Sequence, residues 1–226
     1  MQHWLSLMAS SFPFLLRGAL VFTVPLTLLS FTFGLLLGFG IALVRLFGGR
    51  LSIAAARFYV WMLRGTPLLV QLFIIFYGLP SVGIVLDAFP AALIGFTLNV
   101  GAYTSEIIRA VIASVPKGQW EAAYSIGMSW GQAMRRTILP QAARVAVPPL
   151  SNTFISLVKD TSLAAAVTLP ELFRAAQRIV ATSYEPMILY VEAALIYLAL
   201  SSVLSILQVR LEHRLGRSGG FLEAKS

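Results

Sequence analysis

Four adjacent residues, Lys159, Asp160, Thr161 and Ser162, place a cation, an anion and two hydroxyls in a chain that is otherwise nearly uncharged. Together they offer one charge of each sign and two hydrogen-bonding hydroxyls to a polar solute. The hydrophobic run before them, Val145–Val158, has only 14 residues. As a helix it would reach about 21 Å, well short of a hydrocarbon core of about 30 Å. The run Thr161–Pro170 is again uncharged, so Lys159 and Asp160 are expected inside the membrane region, where an ionisable group is costly without a use. Neighbouring residues on a helix point in different directions, so the two need not neutralise each other. A broken segment with free donors, acceptors and charges is where transporters build substrate sites. The plainer reading is an interfacial lysine followed by a helix cap from Asp160, Thr161 or Ser162. Asn99 and Tyr103, spaced i, i+4, are further candidates for lining a pathway, and would serve equally as interhelical hydrogen-bond partners. Glu106 and Arg109, spaced i, i+3, read as a local ion pair on one helix face.

A second stretch carries a different chemistry. Glu121–Pro140, EAAYSIGMSWGQAMRRTILP, is polar and helical in pattern between two apolar segments. Pro116 suits a first helical turn, the residues from Lys117 to Ile126 are helix-compatible, and Gly127 is a natural left-handed stop. Ser129 with Gln132 reads as a capping box that starts a second helix. That helix would place Trp130, Ala133, Met134, Thr137 and Ile138 on one face, with Arg135 and Arg136 off it, until Pro140 interrupts. The expectation is two short helices joined by a glycine hinge. Two aromatics, a glutamate and a hinge fit a protein groove better than a lipid headgroup layer, the alternative for an amphipathic helix.

The elements that must position these residues are membrane helices. Of 226 residues 58% are hydrophobic and only 12% charged, about half the charged share of a soluble domain, and mean hydropathy is +0.83. The formal net charge of +8 reads as the arginine excess of cytoplasmic loops rather than as a nucleic-acid surface. There is no cysteine, which excludes disulfides and thiolate metal sites. His3 and His213 are isolated. The N-terminus lacks a basic n-region and a clear cleavage site, so no removed signal peptide is expected. Residues 1–226 are expected to form one polytopic domain.

Gly18–Val44 is uncharged over 27 residues and reads as a first span, with Gly34 and Gly38 spaced for close helix packing. Arg45, Arg50 and Arg57 mark a cytoplasmic connection. A second span is expected over roughly Tyr59–Leu79, with Arg64 interfacial. Pro80–Pro90, with Asp87 and no basic residue, reads as an external loop before a third span over roughly Ala91–Val111. The broken segment after the docking stretch makes a fourth. Glu171–Glu185 reads as an external helix and loop, Met187–Val209 as the last span with Glu192 inside its outer end, and Arg210–Ser226 as a cytoplasmic tail, disordered from about residue 216. The expectation is an all-α membrane protein of five transmembrane helices, N-terminus outside and C-terminus inside.

The docking stretch resembles the mark of the permease subunits of bacterial ATP-binding-cassette importers: EAA, then Gly, then a closing Leu-Pro, here Glu121, Ala122, Ala123, Gly127, Leu139 and Pro140. Thr137 departs from it, standing where an aliphatic residue is usual. RGTPLLVQLF (Arg64–Phe73), LPQAARVAVPPLSNTFISLVKDTSL (Leu139–Leu163) and PELFRAAQ (Pro170–Gln177) resemble the polar amino acid branch. YGLPSVGIVLD, KGQWEAAYSIGM and PPLSNTFISLVKDTSLAA are most similar to its L-cystine importers. The resemblance implies the type I, MetI-like fold of five helices in the bacterial inner membrane, working as a dimer, with a homodimer expected. It implies an ATPase partner that binds ATP and magnesium, an extracytoplasmic binding protein that delivers the amino acid, and no cofactor on this chain. A coupling loop at about residues 114–140 is implied to meet the ATPase through Trp120, Glu121, Ala122, Ala123, Tyr124 and Gly127. No G-x-x-x-x-G-K-[ST] phosphate loop is present, nor a nucleophile–base arrangement, which fits a non-enzymatic subunit. The rival readings are an ion-coupled secondary transporter working through Glu106, Glu192 or Asp160, and a scaffold subunit of a membrane enzyme complex.

Overall fold

A computed structural model describes residues 2–217. The tail beyond Arg217, expected to be disordered, lies outside the described residues. Every regular element among them is a helix.

Helix α1 (Gln2–Gly18) runs through a π-helical turn, Ala19–Thr23, into α2 (Val24–Phe47). The expected first span began after Arg17; instead an apolar helix extends unbroken over Trp4–Phe47, 44 residues. Arginine is a good helix former, so the end of the uncharged run marks a polarity boundary and not a helix boundary. The π turn has a local cause. Proline lacks an N–H and its ring crowds the carbonyl one turn back. The π turns Ala19–Thr23, Ile74–Gly78 and Met134–Ile138 each end two residues before a proline: Pro25, Pro80 and Pro140. Widening the preceding turn relieves that crowding without stopping the helix.

The second span is not one straight helix. Helix α3 (Arg50–Gly65) is followed by α4 (Leu68–Phe73), which continues through Ile74–Gly78 and Leu79–Val82, and the two limbs are bent by 104°. Pro67 disfavours helical geometry at the residue before it, and both Thr66 (ψ 145) and Pro67 (ψ 137) are extended. Helix α5 (Ala88–Ser114) contains the expected third span and packs more extensively against α2 than any other pair of elements does. Gly34 and Gly38 make this possible. A Cβ on Gly38 would overlap Thr104 Oγ1, and one on Gly34 would lie 2.5 Å from Val100 Cγ1.

After α6 (Lys117–Ser125) and α7 (Trp130–Ala133), the π turn Met134–Ile138 leads into α8 (Leu139–Asp160). The expected stop at Pro140 does not occur: helical geometry continues to Asp160. Asp160 does not cap a new helix through its side chain; a 3-10 turn, Thr161–Val167, follows directly. Helix α9 (Leu172–Ser183) then packs against α1 and α10 (Pro186–Arg217). Glu171, expected at the start of an external helix and loop, is fully buried. Its carboxylate accepts from the N–H groups of Phe173 and Arg174 and from the Tyr197 hydroxyl, so it is an N-cap inside the packing. Glu192 is also buried, with Oε2 accepting from the Ser11 hydroxyl at 2.5 Å.

Three apolar clusters hold the bundle. One, around Leu26, Leu72, Phe96, Val100 and Leu157, joins α2, α4, α5 and α8. A second, around Ala42, Ile108, Met134 and Ile138, joins α2 and α5 to the Met134–Ile138 turn and the start of α8. The third joins α1, α9 and α10 through Leu15, Leu172 and Ala193. By length and apolarity, three helices and the bent pair α3–α4 can cross a membrane, giving up to four of the five expected spans. Helix α8 does not meet that test; it carries Arg144, Lys159, Asp160 and three prolines.

Candidate functional site

The bend between α3 and α4 opens a cavity of about 700 Å³ against α5 and α8. Its polar lining comes from Arg64 and Thr66 at the bend, Asn99 and Tyr103 on α5, and Asn152, Thr153, Ser156 and Asp160 on α8. The bend is held by one side chain. The buried Gln71 amide donates to the carbonyls of Leu63 (2.8 Å) and Thr66 (3.1 Å) and to Thr66 Oγ1 (2.9 Å). Those carbonyls lose helical partners where α3 ends, and leaving such groups buried and unpaired is costly. Gln71 Oε1 in turn accepts from Asn99 Nδ2 at 3.2 Å. Asn99 thus lines the cavity and also bonds between helices.

The positive wall of the cavity has a further source. Glu106 Oε2 accepts from Arg45 Nη1 at 2.5 Å, and Oε1 accepts from Arg109. Arg64 Nη1 lies 3.8 Å from the same Oε2, with its guanidinium 5.2 Å from the centre of the Tyr103 ring. The expected local pair is thus a node of one carboxylate and three arginines that ties α2, α3 and α5 together. Arg45 and Arg109 already occupy both carboxylate oxygens. Arg64, read from sequence as interfacial, is the arginine left facing the cavity, and its aromatic contact adds a cation–π attraction.

The set Lys159, Asp160, Thr161 and Ser162 does not converge within the chain. Asp160 faces the large cavity. Lys159 and Ser162 line a separate recess of about 510 Å³ with Phe173, Tyr190 and Tyr197. Thr161 is fully buried, its hydroxyl donating to the Val158 carbonyl at 2.7 Å, and the Ser162 hydroxyl donates to the Lys159 carbonyl. Successive helical residues diverge, so one small ligand cannot be gripped by both charges of one chain. Sequence reasoning missed Arg64, Asn152 and Ser156 as lining residues. The last two were legible: with Asp160 they stand at i, i+4 and i+8 on one face of α8.

The segment from Lys117 to Ile138 is built from local bonds. Helix α6 ends at Gly127 (φ 79), with Gly127 N–H donating to the Tyr124 carbonyl and Met128 N–H to the Ala123 carbonyl, a Schellman stop. Ser129 and Gln132 then form the expected capping box. Ala123 is buried, Trp120 is half-buried against the Met134 and Ile138 cluster, and Glu121, Ala122, Tyr124 and Gly127 are exposed. Of the face predicted from the spacing, Ala133, Met134 and Ile138 are buried and Thr137 is half-buried, with Arg135 and Arg136 outward; Trp130, expected on the same face, is instead exposed, its ring edge-on to Phe47.

Residues 30–217 match the family of binding-protein-dependent transport system inner membrane components. Over 212 residues the chain is 54% identical to the L-cystine transport system permease protein TcyB of Bacillus subtilis, covering 93% of this chain and 91% of that one. It superposes with a TM-score of 0.88 and 37% identity on a chain from the crystal structure of an amino acid ABC transporter with histidines, covering 93% and 98% of the two chains. A chain of the inward-facing MetNI methionine ABC transporter matches with a TM-score of 0.74 at 20% identity, over 89% and 95%, a likeness of fold alone. A family match over most of the length, and a relative more than half identical across nine-tenths of both chains, place this all-helical protein among the inner membrane components of binding-protein-dependent transport systems, as a permease subunit of an ATP-binding-cassette transporter.

Proposed function

We propose that the chain is the permease of a polar amino acid importer and that L-cystine is its substrate. One observation carries the site: Arg64 and Asp160, of opposite charge and from different helices, line one cavity. Arg64 offers a planar guanidinium to an α-carboxylate, Asp160 accepts from an ammonium, and Asn99, Asn152 and Ser156 supply polar walls. A cavity of about 700 Å³ lies within the usual range for small-molecule sites, about 300–1,000 Å³. Lys159, Thr161 and Ser162 have no direct part in this site. The similarity to TcyB supports cystine within the amino acid class.

An extracytoplasmic binding protein delivers the substrate, and an ATPase dimer, which holds ATP and magnesium, drives transport through the coupling segment. The exposed Glu121, Ala122, Tyr124 and Gly127 are the contact residues, with Trp120 and Ala123 anchoring α6 to the bundle. Two copies of the chain make the pore. Helix α8 completes five spans, with the N-terminus outside and the C-terminus inside the bacterial inner membrane.

The test is cystine uptake in liposomes holding the permease, its ATPase subunit and its binding protein. Arg64→Gln and Asp160→Asn are each expected to lower uptake at least about tenfold, the loss of one charge-assisted bond, with ATPase assembly unchanged. Lys159→Gln is expected to have a much smaller effect. Uptake that persists in both charge variants overturns the site, and uptake by the permease alone, driven by an ion gradient, overturns the importer reading.

A further inference from the structure

We propose that a recess between α1 and α9, apart from the cavity above, binds the phosphate head group of an anionic phospholipid. The recess is about 480 Å³ and is lined by Phe14, Arg17, Phe22, Pro170, Arg178 and Ile179. Two guanidiniums from elements far apart in sequence thus share one hollow. Both side chains are exposed, and neither takes part in an ion pair among the described residues. The neighbouring Glu171 is in no ion pair with either arginine among the described residues: it is fully buried, and its oxygens accept from Phe173 N–H, Arg174 N–H and Tyr197.

Three features favour a phospholipid over a free anion. Most of the remaining lining is apolar, with Thr182 the one other polar side chain: Phe14, Phe22, Pro170 and Ile179 set hydrocarbon beside the charges, which an amphiphile uses and inorganic phosphate does not. Arg17 is the one charged residue between Trp4 and Val44 and stands directly before 27 uncharged residues, a run long enough to cross the hydrocarbon core, which suits it to a head group at that run's end. Arginine matches a phosphate through paired N–H donors. The recess is also preformed. A Cβ on Gly18 would lie 3.1 Å from the Glu171 carbonyl, so α1 and α9 meet backbone to backbone at its edge. This inference needs only the membrane setting of the family and stands whether or not cystine is the substrate.

The experiment is native mass spectrometry of the intact permease–ATPase complex, released from nanodiscs of mixed phosphatidylglycerol and phosphatidylcholine. The wild-type complex is expected to retain phosphatidylglycerol over phosphatidylcholine by about tenfold. The double variant R17Q/R178Q is expected to lose that preference, and R17K/R178K to keep most of it, which also serves if the neutral variant fails to fold. Equal retention by wild type and R17Q/R178Q overturns the proposal. So does loss of retained phosphatidylglycerol on adding millimolar inorganic phosphate, which assigns the recess to the free anion. A third contrary result is unchanged lipid retention in R17Q/R178Q with weakened capture of the binding protein, which assigns the arginines to a protein surface.

Discussion

The chain breaks its helices in two places that matter, at Gly127 and at Thr66–Pro67, and it secures them by opposite means. The Gly127 turn is self-contained. Its Schellman bonds and its capping box all lie within Ala123–Gln132. Its faces toward solvent carry Glu121, Tyr124 and Gly127, while Ala123 and Trp120 rest on the bundle. The Thr66–Pro67 bend depends on distant residues. Its open carbonyls are satisfied by Gln71, and Gln71 is itself held by Asn99 on α5. Arg64, at the end of α3, reaches Glu106 and Tyr103 on α5. A turn secured by its own residues can move as a unit when a partner pushes it. A bend secured through another helix must change shape together with the cavity it borders.

The largest effect is expected from attacking the first turn where no alternative geometry exists. Gly127 has φ 79, a region closed to β-branched residues. Nothing lies within 4 Å of a Cβ there, so the cost of Gly127→Val is backbone strain alone, about 1–2 kcal/mol. That is too little to unfold the bundle but enough to open the Schellman stop. Substrate-stimulated ATPase activity in proteoliposomes is expected to fall more than about tenfold, with membrane insertion intact. Unimpaired coupling would break the distinction between a movable turn and a fixed bend.

Next comes Gln71→Glu, which keeps the size of the side chain but replaces the amide donor with a carboxylate. The carbonyls of Leu63 and Thr66 then face an acceptor, and a buried donor lost from such a group costs about 1–3 kcal/mol. The expected result is a lower midpoint of thermal unfolding in detergent, together with a change in cystine uptake. Unchanged stability would mean that Pro67 alone sets the bend. Gln71→Leu should cost a similar amount, and Asn99→Ala less, because Asn99 contacts only the far end of the amide.

The same contrast explains what was legible in advance. The turn of the segment Lys117–Ile138 could be read in advance because its bonds are local: Gly127, Ser129 and Gln132 stand where sequence spacing puts them. Ala133, Met134 and Ile138 also face inward as their helical period requires. The length of the second helix was misjudged, and so was Trp130, which is exposed at its first turn where the period placed it inward. Pro140 is tolerated because the π turn Met134–Ile138 absorbs it, and sequence alone does not say whether a proline ends a helix or widens it. The bend was missed for the opposite reason. RGTPLLVQ shows a proline in an apolar run, but the partner that makes a 104° turn affordable is a glutamine whose targets become visible only in three dimensions. The grouping of Lys159 to Ser162 around one hollow was out of reach for the same reason. Lys159 and Asp160 are adjacent in sequence and face different recesses, while Arg64 and Asp160 are almost a hundred residues apart and face the same one.

The smallest effect sharpens the comparison most. Ser129→Ala removes the oxygen that accepts from Gln132 N–H at 3.4 Å, while Gln132 Oε1 still accepts from the Ser129 backbone N–H at 2.9 Å. Half a capping box remains, and the position is exposed, so water can replace the lost partner. The expected loss is about 0.5–1 kcal/mol, a shift of one or two degrees in thermal unfolding. If the turn is locally secured, the loss stays local: hydrogen exchange should rise at the N–H groups of Gly131 and Gln132 and not at α4 or α5. Exchange that also rises around Gln71 and Asn99 would mean that the two breaks share one mechanical path along α8, from the coupling elbow to Asp160 at the cavity. The turn at Gly127 would then drive the bend directly, and a motor's push would need no further element to reach the substrate.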